Sequence, residues 1–184
     1  MIFVVSLFVL SHTFFTEKPV NIFDAICSDA GLIELIQKAV LTTLKVYTSS
    51  DVEVRPAIHQ EKGNSNSFVV GVVTLRGEKG SGKLGLSLSE SAFATIYENM
   101  FGDKPAIFTL EDQTLAGELI NIIFQTIDPE LRTRGHFFDV SLPDVLAGDG
   151  LLQWHKPPVK RSILLPFVTA KGELYFEIPE IHPD

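Results

Sequence analysis

The chain of 184 residues contains a single cysteine, Cys27. It can close no intramolecular disulfide, and no second thiol stands nearby to suggest a zinc cluster or a redox pair. A reducing compartment is therefore the default, and a cytoplasmic location the expectation. Cations are scarce as well: 15 Lys and Arg against 23 Asp and Glu leave a formal charge of -8, with no basic run anywhere. Binding to a phosphate backbone depends on clustered cations that release counterions, so this balance argues against nucleic acid and leaves a protein partner open. Long apolar runs are missing too. Residues 1–15 carry no charge and nine of the first ten are apolar, yet a transmembrane helix needs about 20 such residues. The same stretch lacks the cationic start and small-residue cleavage site of a secretory signal. At Cys27, Ile26 occupies the position where a lipoprotein site would have a small residue. A β-rich arm packed on this or a neighbouring chain, an extension from an upstream start codon, and export all remain open for it. Residues 1–28 are accordingly read as an apolar N-terminal extension, and residues 29–184 as one domain with no membrane partner.

Apolar material for a core is ample. With 45% hydrophobic and 21% charged residues, a chain of this length buries roughly 70% of its unfolded surface and needs no metal or disulfide staple. Leu32, Ile33, Leu35, Ile36, Ala39, Val40 and Leu44 recur at helical spacing over residues 29–46, with Ser28-Asp29 as capping chemistry. An alternating strand over 52–58, closed by Pro56, leads through a polar loop to strands over 68–75 and 83–88. A second helix, Glu90 to Phe101, is opened by Ser89 and closed by Gly102. The longest helix runs from about Glu111 to Arg132, followed by strands over 137–142, 162–169 and 173–178 with a Gly/Asp turn at 147–150. The order helix, proline-bounded strand, two long strands thus occurs twice, in pseudo-repeats 29–102 and 111–181. Such units assemble an α+β two-layer sandwich: one mainly antiparallel six-stranded sheet with the long helices on one face.

Most chemical motifs are absent or fail on context. Gly77-Glu78-Lys79-Gly80-Ser81-Gly82-Lys83 follows the phosphate-loop pattern, but it lacks the terminal Ser or Thr and opens into a strand instead of the helix whose N-terminus would face an anion. A hairpin turn explains its glycines. His12, His59, His136, His155 and His182 are scattered singly, so no metal site is expected. No Gly-x-Ser-x-Gly elbow supports a serine hydrolase.

The longest helix is more informative. At about 100° per residue, Thr114, Glu118, Asn121 and Gln125 fall within a stripe about 60° wide, opposite Leu115, Leu119, Ile122, Ile123 and Ile127. A solvated helix face is the plain reading. Against it, Ile120 and Phe124 flank the stripe, which makes a narrow polar line on an otherwise apolar helix and suits a partner better than bulk water.

At these residues the sequence resembles a family. Gly117-Glu118-Leu119-Ile120-Asn121-Ile122-Ile123, followed by Ser141-Leu142-Pro143-Asp144-Val145 and Gly148, is similar to the signature of the CheX branch of the CheC/CheX chemotaxis phosphatases, with Glu-x-x-Asn on a long helix and then a Ser-Leu-Pro strand segment. The likeness extends back through Leu75-Arg76-Gly77 and residues 92–102, forward to Pro166-Phe167, and covers roughly residues 29–180. Thr114 stands where the family has Asp or Ser and keeps a hydroxyl, and the spacing from Asn121 to Pro143 is one residue shorter. The resemblance implies a CheC-like fold and a protein aspartyl-phosphate phosphatase acting on a CheY-like response regulator, in chemotaxis or related two-component signalling. Glu118 and Asn121 would be catalytic, and Thr114, Gln125 and Pro143 would contact the partner. It implies no cofactor of the chain's own, Mg²⁺ in the partner regulator, and a possible homodimer. The alternative is a non-catalytic adaptor that binds a regulator in a sensory or flagellar-switch complex. In the first half, Glu34-Leu35-Ile36-Gln37 occupies the pseudo-equivalent position and is read as structural.

Overall fold

The computed structural model describes residues 22–49, 51–61, 66–77, 80–154 and 161–181. The hydrophobic run at residues 1–15 lies outside the described residues, as do His12, His155 and His182. Helices α1 (Ile22–Ser28) and α2 (Ala30–Thr48) lead into short strands β1 (Val52–Val54) and β2 (Ile58–Gln60), and then into the hairpin β3 (Val69–Gly77) and β4 (Gly80–Leu88). Helices α3 (Glu90–Phe101) and α4 (Leu110–Thr133) follow, then β5 (Asp139–Val140) and β6 (Asp144–Ala147). A 3-10 turn at Gly148–Gly150, α5 (Leu151–Trp154), β7 (Ser162–Thr169) and β8 (Gly172–Pro179) complete the chain.

All strand pairs are antiparallel, and the eight strands fill six lanes of one sheet. The expected six-stranded sheet is therefore present, but each outer lane is split in two. Pro56 falls between β1 and β2, which both pair with β7, and Pro143 falls between β5 and β6, which both pair with β3. Proline lacks the N–H that a continuous ladder would need, which is why it sits at breaks in outer strands. The lanes run β1/β2, β7, β8, β4, β3, β5/β6. Exchanging the two halves reverses this order onto itself, so each half donates its broken outer strand to the long hairpin of the other. The duplicated units are interlocked through their edges, with β4 against β8 at the centre.

Helices α1 to α4 share one face of the sheet and one core. Leu32, Ile36, Val40 and Leu44 of α2, Phe93 and Ile96 of α3, and Leu119, Ile120, Ile123 and Ile127 of α4 are fully buried against Val69, Val73, Leu75, Leu84, Leu86 and Leu88. Residues 22–28, placed by sequence in the N-terminal extension, form α1 and bury Ile22, Phe23, Ala25 and Ile26. This helix is only seven residues long, too short for an apolar period to show, and the capping signal at Ser28-Asp29 marks the start of the next one. On the opposite face, Trp154 packs with Val70 and Val72 and donates its indole N–H to the buried carboxylate of Glu177 at 2.9 Å, while the Ser87 hydroxyl donates to the other carboxylate oxygen.

Capping defines the helix ends that matter for the site. Thr109 and Asp112 form a capping box at the start of α4. One Asp112 oxygen accepts from the Thr109 backbone N–H at 2.8 Å and from its hydroxyl at 2.7 Å, and the other accepts from the Tyr97 hydroxyl at 2.7 Å. The Tyr97 hydrogen bond, aided by the two from Thr109, holds the Asp112 carboxyl below the usual aspartate range. A carboxyl depressed in the folded state stabilises the fold above its unfolded value and loses that contribution as pH falls through its folded one. The denaturation midpoint should therefore exceed that of Asp112→Asn at neutral pH, and the gap should close as pH falls below the usual aspartate range. A gap that stays constant down to that pH would show that the charge is not what Asp112 contributes.

Candidate active site

Helix α4 presents the predicted stripe outward. Thr114, Glu118 and Gln125 are exposed and Asn121 is half-buried, while Leu115, Leu119, Ile123 and Ile127 face the core. Neither Glu118 nor Asn121 makes a hydrogen bond or ion pair to another described residue, so both side chains are available to something outside the chain. The exposed Gln125 is likewise without a hydrogen bond to another described residue. The Thr114 hydroxyl donates to the Glu111 carbonyl at 2.6 Å, and Pro143 is half-buried over Gly117. In the other half of the fold, the Gln37 carboxamide donates to the Arg55 carbonyl at 3.2 Å, beside the Pro56 break. The pseudo-equivalent of the free Asn121 is thus occupied in bracing the chain, in keeping with its structural reading.

Two close backbone approaches set the position of the stripe. Gly71 of β3 lies directly beneath α4: a Cβ there would stand 2.0 Å from the Ala116 carbonyl oxygen and 2.9 Å from the Gly117 nitrogen. Gly117 in turn faces Val145 and Pro143, whose nearest atoms would lie 3.1 and 3.3 Å from an added Cβ. Val145 is the register partner of Gly71. Helix, strand β3 and the β5–β6 segment therefore meet at one point, one residue before Glu118.

One expectation about the surroundings is corrected. Ile120 and Phe124 are 0% and 2% exposed and belong to the core, so they do not flank the stripe at the surface. The exposed apolar flank comes from the neighbouring segment instead, where Phe137, Val140 and Leu142 are 62%, 39% and 89% exposed. This segment runs antiparallel to α4. Val140, Asp139 and Phe138 border an open groove of about 420 Å³ with Asn121, Phe124, Gln125, Asp128 and Arg132, and Pro143 reaches back to Gly117. Sequence periodicity could not find this ledge, because it comes from a different element, although Leu142 sits inside the Ser-Leu-Pro motif. Arg132 is engaged with Asp128 at 2.7 Å and with the Phe138 carbonyl at 3.3 Å, closing the far end of the groove. Among the described residues no three His, Cys, Asp or Glu side chains converge to hold a metal ion. No helix among them is long and apolar enough to cross a membrane.

A carboxylate and a carboxamide without partners in the chain thus stand about one turn apart on α4, over an α+β sandwich. Residues 69–167 match the chemotaxis phosphatase CheX family, and the chain belongs to that family. Solved structures with the same fold include a CheC-like superfamily protein from Shewanella sp. PV-4, 24% identical with a TM-score of 0.70 over 82% of this chain and 97% of that one. The chemotaxis protein CheX from Vibrio vulnificus is 22% identical, with a TM-score of 0.68 over 81% of this chain and 98% of that one. A further relative, CheX from Borrelia burgdorferi, was solved as a complex with CheY, BeF₃ and Mg²⁺; it is 17% identical, with a TM-score of 0.65 over 82% of this chain and 98% of that one. A search of curated protein sequences finds no match.

Proposed function

We propose that this protein hydrolyses the aspartyl-phosphate of a CheY-like response regulator, with Asn121 and Glu118 as its working residues. The observation that carries this reading is the pair of uncommitted polar side chains on α4, in a chain that belongs to a phosphatase family. An acyl phosphate already has a good leaving group, and the regulator is expected to bring its own Mg²⁺ and lysine, so positioning is what remains to be supplied. The Asn121 carboxamide oxygen accepts a hydrogen bond from a water and holds it in line with the phosphorus, opposite the departing carboxylate. Attack breaks the P–O bond to the aspartate and releases inorganic phosphate, the water's protons passing to phosphate and solvent. Glu118 pairs with the regulator's lysine, a charge-assisted contact that fixes register. Exposure of Glu118 suits this role: the pair becomes desolvated only when the partner arrives. Support for the partner comes from the CheY complex of the Borrelia burgdorferi relative.

The test is phosphate release from a response regulator charged with a small phosphodonor, with and without the purified protein. Acceleration is expected, and Glu118→Gln should weaken it most at low salt, where the charge that pairs with the regulator's lysine is least screened. Binding without acceleration would make the protein a non-catalytic adaptor instead.

A further inference from the structure

We propose that Leu142 is the apolar anchor that sets affinity for the phosphorylated partner, acting beside the catalytic pair without taking part in the chemistry; this rests on the response-regulator reading above. Leu142 lies between Val140, which borders the groove with Asn121, and Pro143, which packs on Gly117. Its place along α4 is therefore level with Glu118 and Asn121. At 89% exposed it contributes almost nothing to the core. A single exposed leucine is ordinary on a protein surface, but this one lies two residues from the exposed Val140, which borders the groove with Asn121.

The backbone that carries Leu142 is pinned on both sides. The Ser141 backbone N–H donates to the Thr74 carbonyl at 2.9 Å, and the Thr74 N–H donates to the Ser141 hydroxyl oxygen at 3.0 Å. Asp144 pairs in register with Val72. A leucine displayed from a fixed loop loses little backbone freedom on docking, so more of its transfer from water appears as affinity. The groove beside it is open and of modest volume, which suits a convex protein surface better than an enclosed small molecule. The occupant is a response regulator whose phosphorylation site faces Asn121 and whose adjacent surface offers an apolar hollow to Leu142. Burying one leucine corresponds to roughly ten- to hundredfold in an equilibrium constant, part of which is offset by the cost of association.

Steady-state dephosphorylation against regulator concentration tests this. Leu142→Ala should raise KM about tenfold and leave kcat within about twofold, and Leu142→Met, which restores apolar bulk, should recover most of the affinity. Asn121→Ala in the same assay should show the opposite split, losing kcat at little change in binding. An unchanged KM for Leu142→Ala, or a fall in kcat with KM intact, would overturn the assignment while leaving the phosphatase reading standing. If the wild type binds the phosphorylated regulator without accelerating phosphate loss, the phosphatase reading fails and Leu142 is judged by the dissociation constant, which should still rise about tenfold in Leu142→Ala. Absence of both acceleration and binding overturns both.

Discussion

Asn121→Ala should lower the rate of regulator dephosphorylation by about a hundredfold or more, down to the regulator's own spontaneous rate, with little change in the denaturation midpoint. The magnitude follows from what the residue does: it places a nucleophile, and misplacement of a reacting group by about an ångström costs on the order of a hundredfold. Removing the carboxamide leaves the water free to tumble, and the other carboxamide of the stripe, Gln125, sits a full turn further along α4. Glu118 lies three residues away on α4, and at the pH of the assay a carboxylate beside a phosphoryl group adds repulsion. Stability should be spared because Asn121 is half-buried and its side chain hydrogen-bonds to no other described residue. Substitutions at such positions usually fall within about 0.5 kcal/mol. Asn121→Asp sharpens the test, since it keeps the shape and exchanges the amide nitrogen for charge; it should be nearly as inactive as the alanine variant. Retention of activity by Asn121→Ala would place the reacting water elsewhere on the surface.

The legible parts of this fold are those that local chemistry decides. Ser89 and Gly102 bracket α3 at the positions expected of them, because an N-cap hydroxyl and a left-handed glycine at φ 89° are short-range devices. The outward face of α4 follows from its apolar periodicity alone. Pro129 would ordinarily argue for an earlier end to that helix, yet α4 continues to Thr133 because Leu131 is fully buried and Arg134, its C-cap, pairs with Asp29 at the start of α2. Helix α1 spans seven residues and α5 four, too short to show an apolar period, and β6 abuts the turn read at residues 147–150, where the chain does turn through Gly148–Gly150. What could not be read at all was non-local. Nothing near residues 137–147 indicates that this stretch pairs with β3 of the other half, and only that pairing lays Val140 and Leu142 alongside Glu118 and Asn121.

Gly71→Ala is expected to be the most damaging small substitution in the fold, affecting stability and activity together. An added Cβ would lie 2.0 Å from the Ala116 carbonyl oxygen and 2.4 Å from its carbon. These are backbone atoms of a helix held by its own hydrogen bonds, so no rotamer change relieves the clash and α4 must move away from β3. Overpacking of this kind costs about 1–3 kcal/mol. The gain of about 0.4–1 kcal/mol from a stiffer unfolded chain does not offset it. Gly117→Ala, one step across the same contact, makes the informative control. Its Cβ meets only side-chain atoms of Val145 and Pro143 at 3.1 and 3.3 Å, and alanine is favoured over glycine within a helix by about 0.8–1 kcal/mol, so its net effect on stability should be near zero. The consequence for function lies in which parts move. Ser141 and Asp144 anchor the Leu142 ledge to β3, so lifting α4 in Gly71→Ala separates Glu118 and Asn121 from a ledge that stays behind. Activity should then fall by more than the lost stability explains, when measured well below the unfolding midpoint where nearly all molecules are folded. Wild-type stability and wild-type turnover in Gly71→Ala would mean that α4 does not rest on this strand as closely as the geometry requires.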